Sequence, residues 1–285
     1  MRTRLSLRRK AVNAIMLATT GLCTLLSIGV LFFILGYLLL QGGRFLSWDF
    51  FTKLPVPVGE TGGGMANAVV GSGKILLLAT LIGVPIGFLA GVYLSEYGRT
   101  AFSSVVRFVT DLLNGIPSIV MGIFAYTLIV LRMKHFSAFA GGVALGVMMI
   151  PIALRSTEEF LRAVPVSLRE AAMALGAPKW KTVVTVVIPA AIRGILSGMM
   201  LNLARVAGET APLLFTALSN QFWSPGWNQP TATVPVMIYT YAIAPYPDWH
   251  RQAWAAGFLL LAMVLVVNVA ARSTIASGMS QKARL

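Results

Sequence analysis

The sequence predicts an all-α polytopic membrane protein with about six transmembrane helices, and three observations predict it. Hydrophobic residues make up 57% of the 285 and charged residues 11%, with a mean hydropathy of +0.79. A soluble domain holds about 45–50% apolar and about 25% charged residues, so much of this chain's surface faces lipid. Six apolar runs are each long enough for a hydrocarbon core that takes about 20 helical residues to cross. Most lysines and arginines flank those runs, with Lys74 and Arg205 inside them, so the net charge of +14 borders membrane spans and forms no nucleic-acid surface.

The first run, residues 13–40, follows Arg2, Arg4, Arg8, Arg9 and Lys10. It exceeds the roughly 7–15 residues of a signal-peptide core and no small-x-small site follows it, so it reads as a retained first helix. The later runs cover 68–94, 105–131, 137–154, 194–218 and 252–272. With the N-terminus inside, sixteen lysines and arginines fall on the cytoplasmic side, against Arg44, Lys53, Arg132, Lys134 and Arg251 outside. That asymmetry predicts that both termini are cytoplasmic.

In the second run Gly83, Gly87 and Gly91 recur every fourth residue, a stripe that lets another helix backbone approach. Gly142/Gly146 and Gly194/Gly198 repeat the spacing. Pro85 and Pro151 kink or end their helices. The outside segments 46–66 and 219–251, rich in Trp, Tyr, Pro and Gly, read as loops lying at the interface. Cys23 lies within an apolar run, and His135 and His250 stand far apart, so no disulfide framework or metal site is expected.

The polar segment 155–193 is too well punctuated to be a loose linker. Ser167-Leu-Arg-Glu170 matches a capping box, and Arg169 to Leu175 continues in good helix formers. Gly176 supplies a left-handed end and Pro178 opens the next helix, so two short helices joined by a tight turn are expected. Ala171, Ala172 and Ala174 keep the first one slender enough to enter a groove on a partner.

Here the chain resembles a family. Glu170-Ala171-Ala172, three residues, Gly176, nine residues, then Val186-Val187-Ile188-Pro189 is similar to the EAA loop of bacterial ABC importer permeases, with Val186 and Ile188 as conservative departures. The resemblance implies a type I ABC importer permease fold. It also implies that Glu170, Ala171, Ala172, Gly176 and Pro189 belong to the segment that docks on an ATP-hydrolysing subunit. On this reading residues 1–67 hold the basic tail, first helix and an outside segment. Residues 68–275 form the permease core, with the coupling loop at about 156–193, and residues 276–285 form a cytoplasmic tail. Gly71-Ser-Gly-Lys74 does not make a Walker A motif, because Ala68 and Ile75 stand where Gly and Ser or Thr are required. No cofactor is therefore expected in this chain; ATP and Mg belong to the partner ATPase, and the chain is no enzyme.

The fifth run contains Arg205-Val-Ala-Gly-Glu209-Thr210-Ala-Pro212. Counted from residue 194, Arg205 lies about 11 residues into the helix, ~17 Å deep. An arginine at such depth costs roughly 3 kcal/mol on insertion scales, so it faces a pathway or a partner. Gly198, Asn202, Arg205 and Glu209 share one helical face, which gives a polar stripe for the substrate pathway, completed by Thr210. The alternative is an Arg205–Glu209 pair at i,i+4 that neutralises itself. Residues 205–223, with Asp111-Leu-Leu-Asn-Gly-Ile-Pro-Ser-Ile-Val120, resemble the permeases of phosphate ABC importers. That resemblance implies a PstC-type second permease, a PstB-type ATPase dimer, a periplasmic phosphate-binding protein, surrounding membrane lipid and a bacterial inner membrane. A buried cation suits any oxyanion, so a sulfate or molybdate permease is the alternative; a secondary transporter would leave the 170–189 loop without a role, and a sensor without transport would leave the deep polar stripe unexplained.

Overall fold

The computed structural model describes the backbone of residues 2–60, 62–98 and 100–282, and side chains between residues 8 and 269 within those ranges. Arg2, Arg4, Arg99 and the cations from Arg272 onward, which enter the charge count, lie outside the described side chains. Regular structure among the described residues is all helical: α1 (Arg2–Phe45), α2 (Trp48–Thr52), α3 (Ala66–Glu96), α4 (Ala101–Gly115), α5 (Ser118–Met133), α6 (Ala138–Arg162), α7 (Val166–Ala174), α8 (Lys179–Ala207), α9 (Ala211–Thr216), α10 (Val234–Ala242) and α11 (Pro247–Lys282). Five of them, α1, α3, α6, α8 and α11, are long and apolar enough to cross a bilayer, and α4 with α5, apolar enough together and bent by 102° between them, makes six if the pair counts as one span.

The bend corrects the expectation of one continuous helix over 105–131. Pro117 has no N–H to extend the ladder, and it drives Ile116 to φ −72°, ψ 130°, the extended region that a residue before proline prefers.

The fifth span is also corrected. It runs Lys179–Ala207, 29 residues, and not 194–218. Lys179, Lys181, Arg193 and Pro189 lower the hydropathy of its first half, but a helix does not have to end where the hydrocarbon does. A widened π turn at Val183–Val187 directly precedes Ile188-Pro189, where the proline cannot donate to the carbonyl four residues back. The second short helix of the expected hairpin is thus the foot of α8.

The segment 219–251, expected as an interfacial loop, holds more structure than that. It holds α10 and the start of α11, and Ala232, Val234, Val236 and Met237 are buried. Ser72 Oγ accepts the N–H of Val234 at 2.8 Å, pinning the start of α10 to α3. This segment and Thr216 of α9 together close the start of α6. The amides of Ser137, Ala138 and Phe139 donate to the carbonyls of Thr216, Gln229 and Trp227, and Ser137 Oγ caps Ala140 N–H at 3.1 Å, so the amides left over at a helix start are satisfied.

The packing centre is α3 against α6. A Cβ at Gly83 would stand 2.5 Å from Met149 Cβ, at Gly87 2.6 Å from Ala153 Cβ, and at Gly91 2.6 Å from Thr157 Cβ. Glycine at these positions lets the two backbones meet, the source of dispersion energy where lipid removes the hydrophobic drive. Gly142 meets Leu78 and Gly194 meets Phe160 in the same way. Buried clusters around Met237, around Met149 and around Ile195 fill the bundle.

Candidate functional site

Two places in this fold carry chemistry: a cavity where two helix breaks meet a helix-interior proline, and the exposed hairpin. The cavity, about 270 Å³, lies against the α4–α5 break at Asn114, Pro117 and Ser118, against Pro151 in α6, and against Arg205 and Glu209. Pro151 is midway along α6, so Arg205 is at mid-height of the bundle. The count from residue 194 is not the reason, since α8 starts at Lys179 and ends two residues beyond Arg205.

The helix ends before Glu209. Gly208 and Glu209 turn back to donate to the carbonyls of Arg205 and Val206, so the carboxylate is carried round a turn and not stacked above the guanidinium. The self-neutralising pair is absent: among the described residues Arg205 and Glu209 form no ion pair with each other or with any other side chain. Arg205 is exposed, and Glu209 and Thr210 are half-buried.

The expected stripe divides. A Cβ at Gly198 would collide with Ser156 Oγ, so this glycine is a packing residue. Asn202 is buried at 2% exposure; its Nδ2 donates to the Met149 carbonyl at 3.2 Å while Oδ1 has no partner. Both line a second cavity, with Asn268, that Arg205 also borders.

In the hairpin the capping box does not form. Pro165 occupies the N-cap with no side-chain cap, and Val166 is the first helical residue, so Ser167 is already inside the helix. The turn forms as expected. Gly176 has φ +83°, its N–H donates to Met173 O, and Ala177 N–H donates to Ala172 O, the paired bonds of a Schellman end. Glu170 and Ala171 are exposed and Ala172 half-buried. Leu175 is 90% and Trp180 64% exposed: an apolar, slender surface turned outward. Pro189 sits just after the π turn of α8.

The residues that hold this hairpin escaped the sequence reading. Arg169 donates to Glu96 Oε1 at 2.8 Å and to the carbonyls of Leu161 and Val164, fastening α7 to the ends of α3 and α6. Lys179 Nζ donates to the Glu96 carbonyl at 2.5 Å and lies over the Tyr97 ring. Beside it Glu158, 1% exposed, receives Arg107 at 2.7 Å, Arg162 at 2.8 Å and Arg155 at 3.4 Å. Arg155 also pairs with Asp111, so α4 is tied to α6. The spacing of Arg155, Glu158 and Arg162 at i, i+3 and i+7 puts them on one face and was the available signal.

A bundle of five or six apolar helices with a sharply bent α4–α5 pair and an exposed hairpin is the fold of ABC importer permeases. It superposes with a TM-score of 0.57 on a chain of the inward-facing MetNI methionine ABC transporter, 18% identical and covering 75% of this chain and 96% of that one. A bacterial ABC transporter involved in import of the acidic polysaccharide alginate gives 0.57 at 16% identity, covering 96% and 99%. Residues 83–275 match the family described as binding-protein-dependent transport system inner membrane component. The phosphate transport system permease protein PstA of Yersinia pestis is 46% identical over 265 residues, 93% of this chain and 90% of that one. The PstA of Haemophilus influenzae is 45% identical over 276 residues, covering 95% and 98%. The chain belongs to this family of ABC importer permeases and, within it, to the PstA group. It is a multi-pass membrane protein and a transport subunit, not an enzyme, and such a permease works in a complex with a second permease and a separate ATPase.

Proposed function

We propose that the chain forms one half of the translocation pathway of an ATP-driven inorganic phosphate importer. Its partners are a PstC-type permease, a dimer of PstB-type ATPases that bind the ATP and Mg, and a periplasmic phosphate-binding protein that delivers the substrate. It sits in a bacterial inner membrane with both termini in the cytoplasm. The observation that carries the pathway is the unpaired Arg205 beside the mid-bundle cavity. A guanidinium left without a carboxylate offers a fork of donors to a passing oxyanion, and one such group gives a step weak enough to release its ion.

Coupling runs through the hairpin. Glu170, Ala171, Ala172 and Gly176 present the docking surface, Pro189 sets the foot of α8, and Arg169 makes α7 move with α3 and α6. Closure of the ATPases then shifts the cytoplasmic ends of those spans as a unit. Asn202, Arg205, Glu209 and Thr210 line or border the path. Proteoliposomes holding both permeases and the ATPase should take up radiolabelled phosphate only with ATP inside and binding protein outside. Uptake without the ATPase chains would turn the reading toward a secondary transporter.

A further inference from the structure

We propose that Glu209 makes the mid-bundle cavity selective for oxyanions that still carry a proton, an assignment that rests on the phosphate-pathway reading above. Arg205 and Glu209 are the charged residues lining this cavity, and neither is used up by the other, because α8 ends between them. A bare carboxylate beside an anion path is at first sight a liability, since like charges at close range repel. It becomes an asset only for a substrate that can donate to it. Phosphate near neutral pH retains one or two protons, whereas sulfate and molybdate retain none.

In this arrangement the Arg205 guanidinium takes the unprotonated oxygens, and the Glu209 carboxylate accepts the P–O–H hydrogen. Asn114 and Ser118 at the α4–α5 break offer side-chain donors to what remains. A fully deprotonated dianion would set its oxygens against those of Glu209, leaving an unpaired acceptor and an uncompensated repulsion. Sites built to bond a hydroxyl reject analogues that lack it far more strongly than shape alone allows. The residue thus separates phosphate from sulfate, a choice that the Arg205 cation by itself cannot make.

The test uses the assembled permease–ATPase complex in nanodiscs without binding protein, so that the membrane subunits alone select. The probes are inorganic phosphate, sulfate and monofluorophosphate, the last matching hydrogen phosphate in charge and shape but carrying fluorine in place of the hydroxyl. Equilibrium binding to the wild type should favour phosphate over both others by between about tenfold and a hundredfold, the range of one charge-assisted hydrogen bond. Glu209→Gln, whose amide can turn to donate, should lose phosphate, gain the other two anions and bring the ratios close to one. Glu209→Asp should keep the preference at lower affinity, and Arg205→Leu should lose all three anions. If Arg205→Leu loses them while Glu209→Gln keeps the wild-type ratio, the selectivity assignment is wrong and the pathway stands. If Arg205→Leu retains every anion, or the wild type binds no phosphate, the pathway reading falls and this one with it.

Discussion

Arg169 in α7 and Glu96 at the end of α3 are 73 residues apart in sequence and 2.8 Å apart in the fold. Their side chains are 17% and 6% exposed, so the pair is shielded from the solvent that makes surface ion pairs nearly worthless. Arg169 also satisfies the Leu161 and Val164 carbonyls at the end of α6. One guanidinium therefore fastens the exposed hairpin to two spans, so a force applied to the hairpin would reach both of them.

That fastening predicts an uncoupling mutant. Arg169→Ala should leave the complex assembled and hydrolysing ATP, while phosphate uptake falls by at least about tenfold, the equivalent of ~1.4 kcal/mol. Arg169→Lys should be intermediate, because a point charge cannot serve a carboxylate and two carbonyls at once. Equal loss of hydrolysis and uptake in Arg169→Ala would mean that docking itself had failed.

Glu158 makes a prediction about stability. Three arginines converge on a carboxylate that is 1% exposed, and removing one partner of a buried ion cluster costs about 3–5 kcal/mol. Glu158→Gln should lower the melting temperature of the detergent-solubilised protein, and Glu158→Gln with Arg107→Leu should recover part of the loss. Additive losses in the double mutant would show that the two side chains do not act through each other.

The parts of this fold that repeat or punctuate are legible in the sequence. The glycine stripe of α3, the Gly176 turn and most of the spans are written in spacing, which survives folding unchanged. What is not legible there depends on partners distant in the chain. Glu158 draws Arg107 from α4, and Glu96 draws Arg169 from α7, so neither pairing has a local signature. The fifth span was misplaced because Lys179 and Lys181 lower a hydropathy window without breaking a helix. Ser167 and Glu170 had the right spacing for a capping box, yet Pro165 takes the N-cap and the helix starts two residues too early to use it.

Two glycines on one helix give a controlled comparison. A Cβ at Gly87 would lie 2.6 Å from Ala153 Cβ and 2.8 Å from the Ile150 carbonyl, whereas one at Gly73 would meet nothing within 4 Å. Gly87→Ala should destabilise the bundle by about 1–3 kcal/mol through overpacking. Gly73→Ala should be neutral or mildly stabilising, since alanine is the better helix former by about 1 kcal/mol. Chemical denaturation of both variants in mixed micelles reads the difference; equal behaviour would mean that α3 and α6 pack more loosely than these distances require.

Orientation is open to direct labelling. In a Cys23→Ser background, cysteines at Ser6 and Ser280 should react with an impermeant maleimide only from the cytoplasmic side. A cysteine at the exposed Glu60 should react only from outside. The reverse pattern would overturn the topology drawn from the charge asymmetry.

The last prediction separates a structural Arg205 from a working one. If Arg205 existed to neutralise Glu209, removing both charges together would relieve two desolvation costs and restore function lost in either single mutant. The structure gives that idea no pair to act on, because α8 ends at Ala207 and Glu209 turns away without an ion-pair contact. Arg205→Leu and the double mutant Arg205→Leu with Glu209→Leu should therefore both lose phosphate uptake in complexes that still assemble and hydrolyse ATP. Arg205→Lys should be impaired as well, since an ammonium cannot present two parallel donors to an oxyanion. Wild-type uptake by the assembled double mutant would return Arg205 to the role of a counter-ion and leave the cavity without its cation.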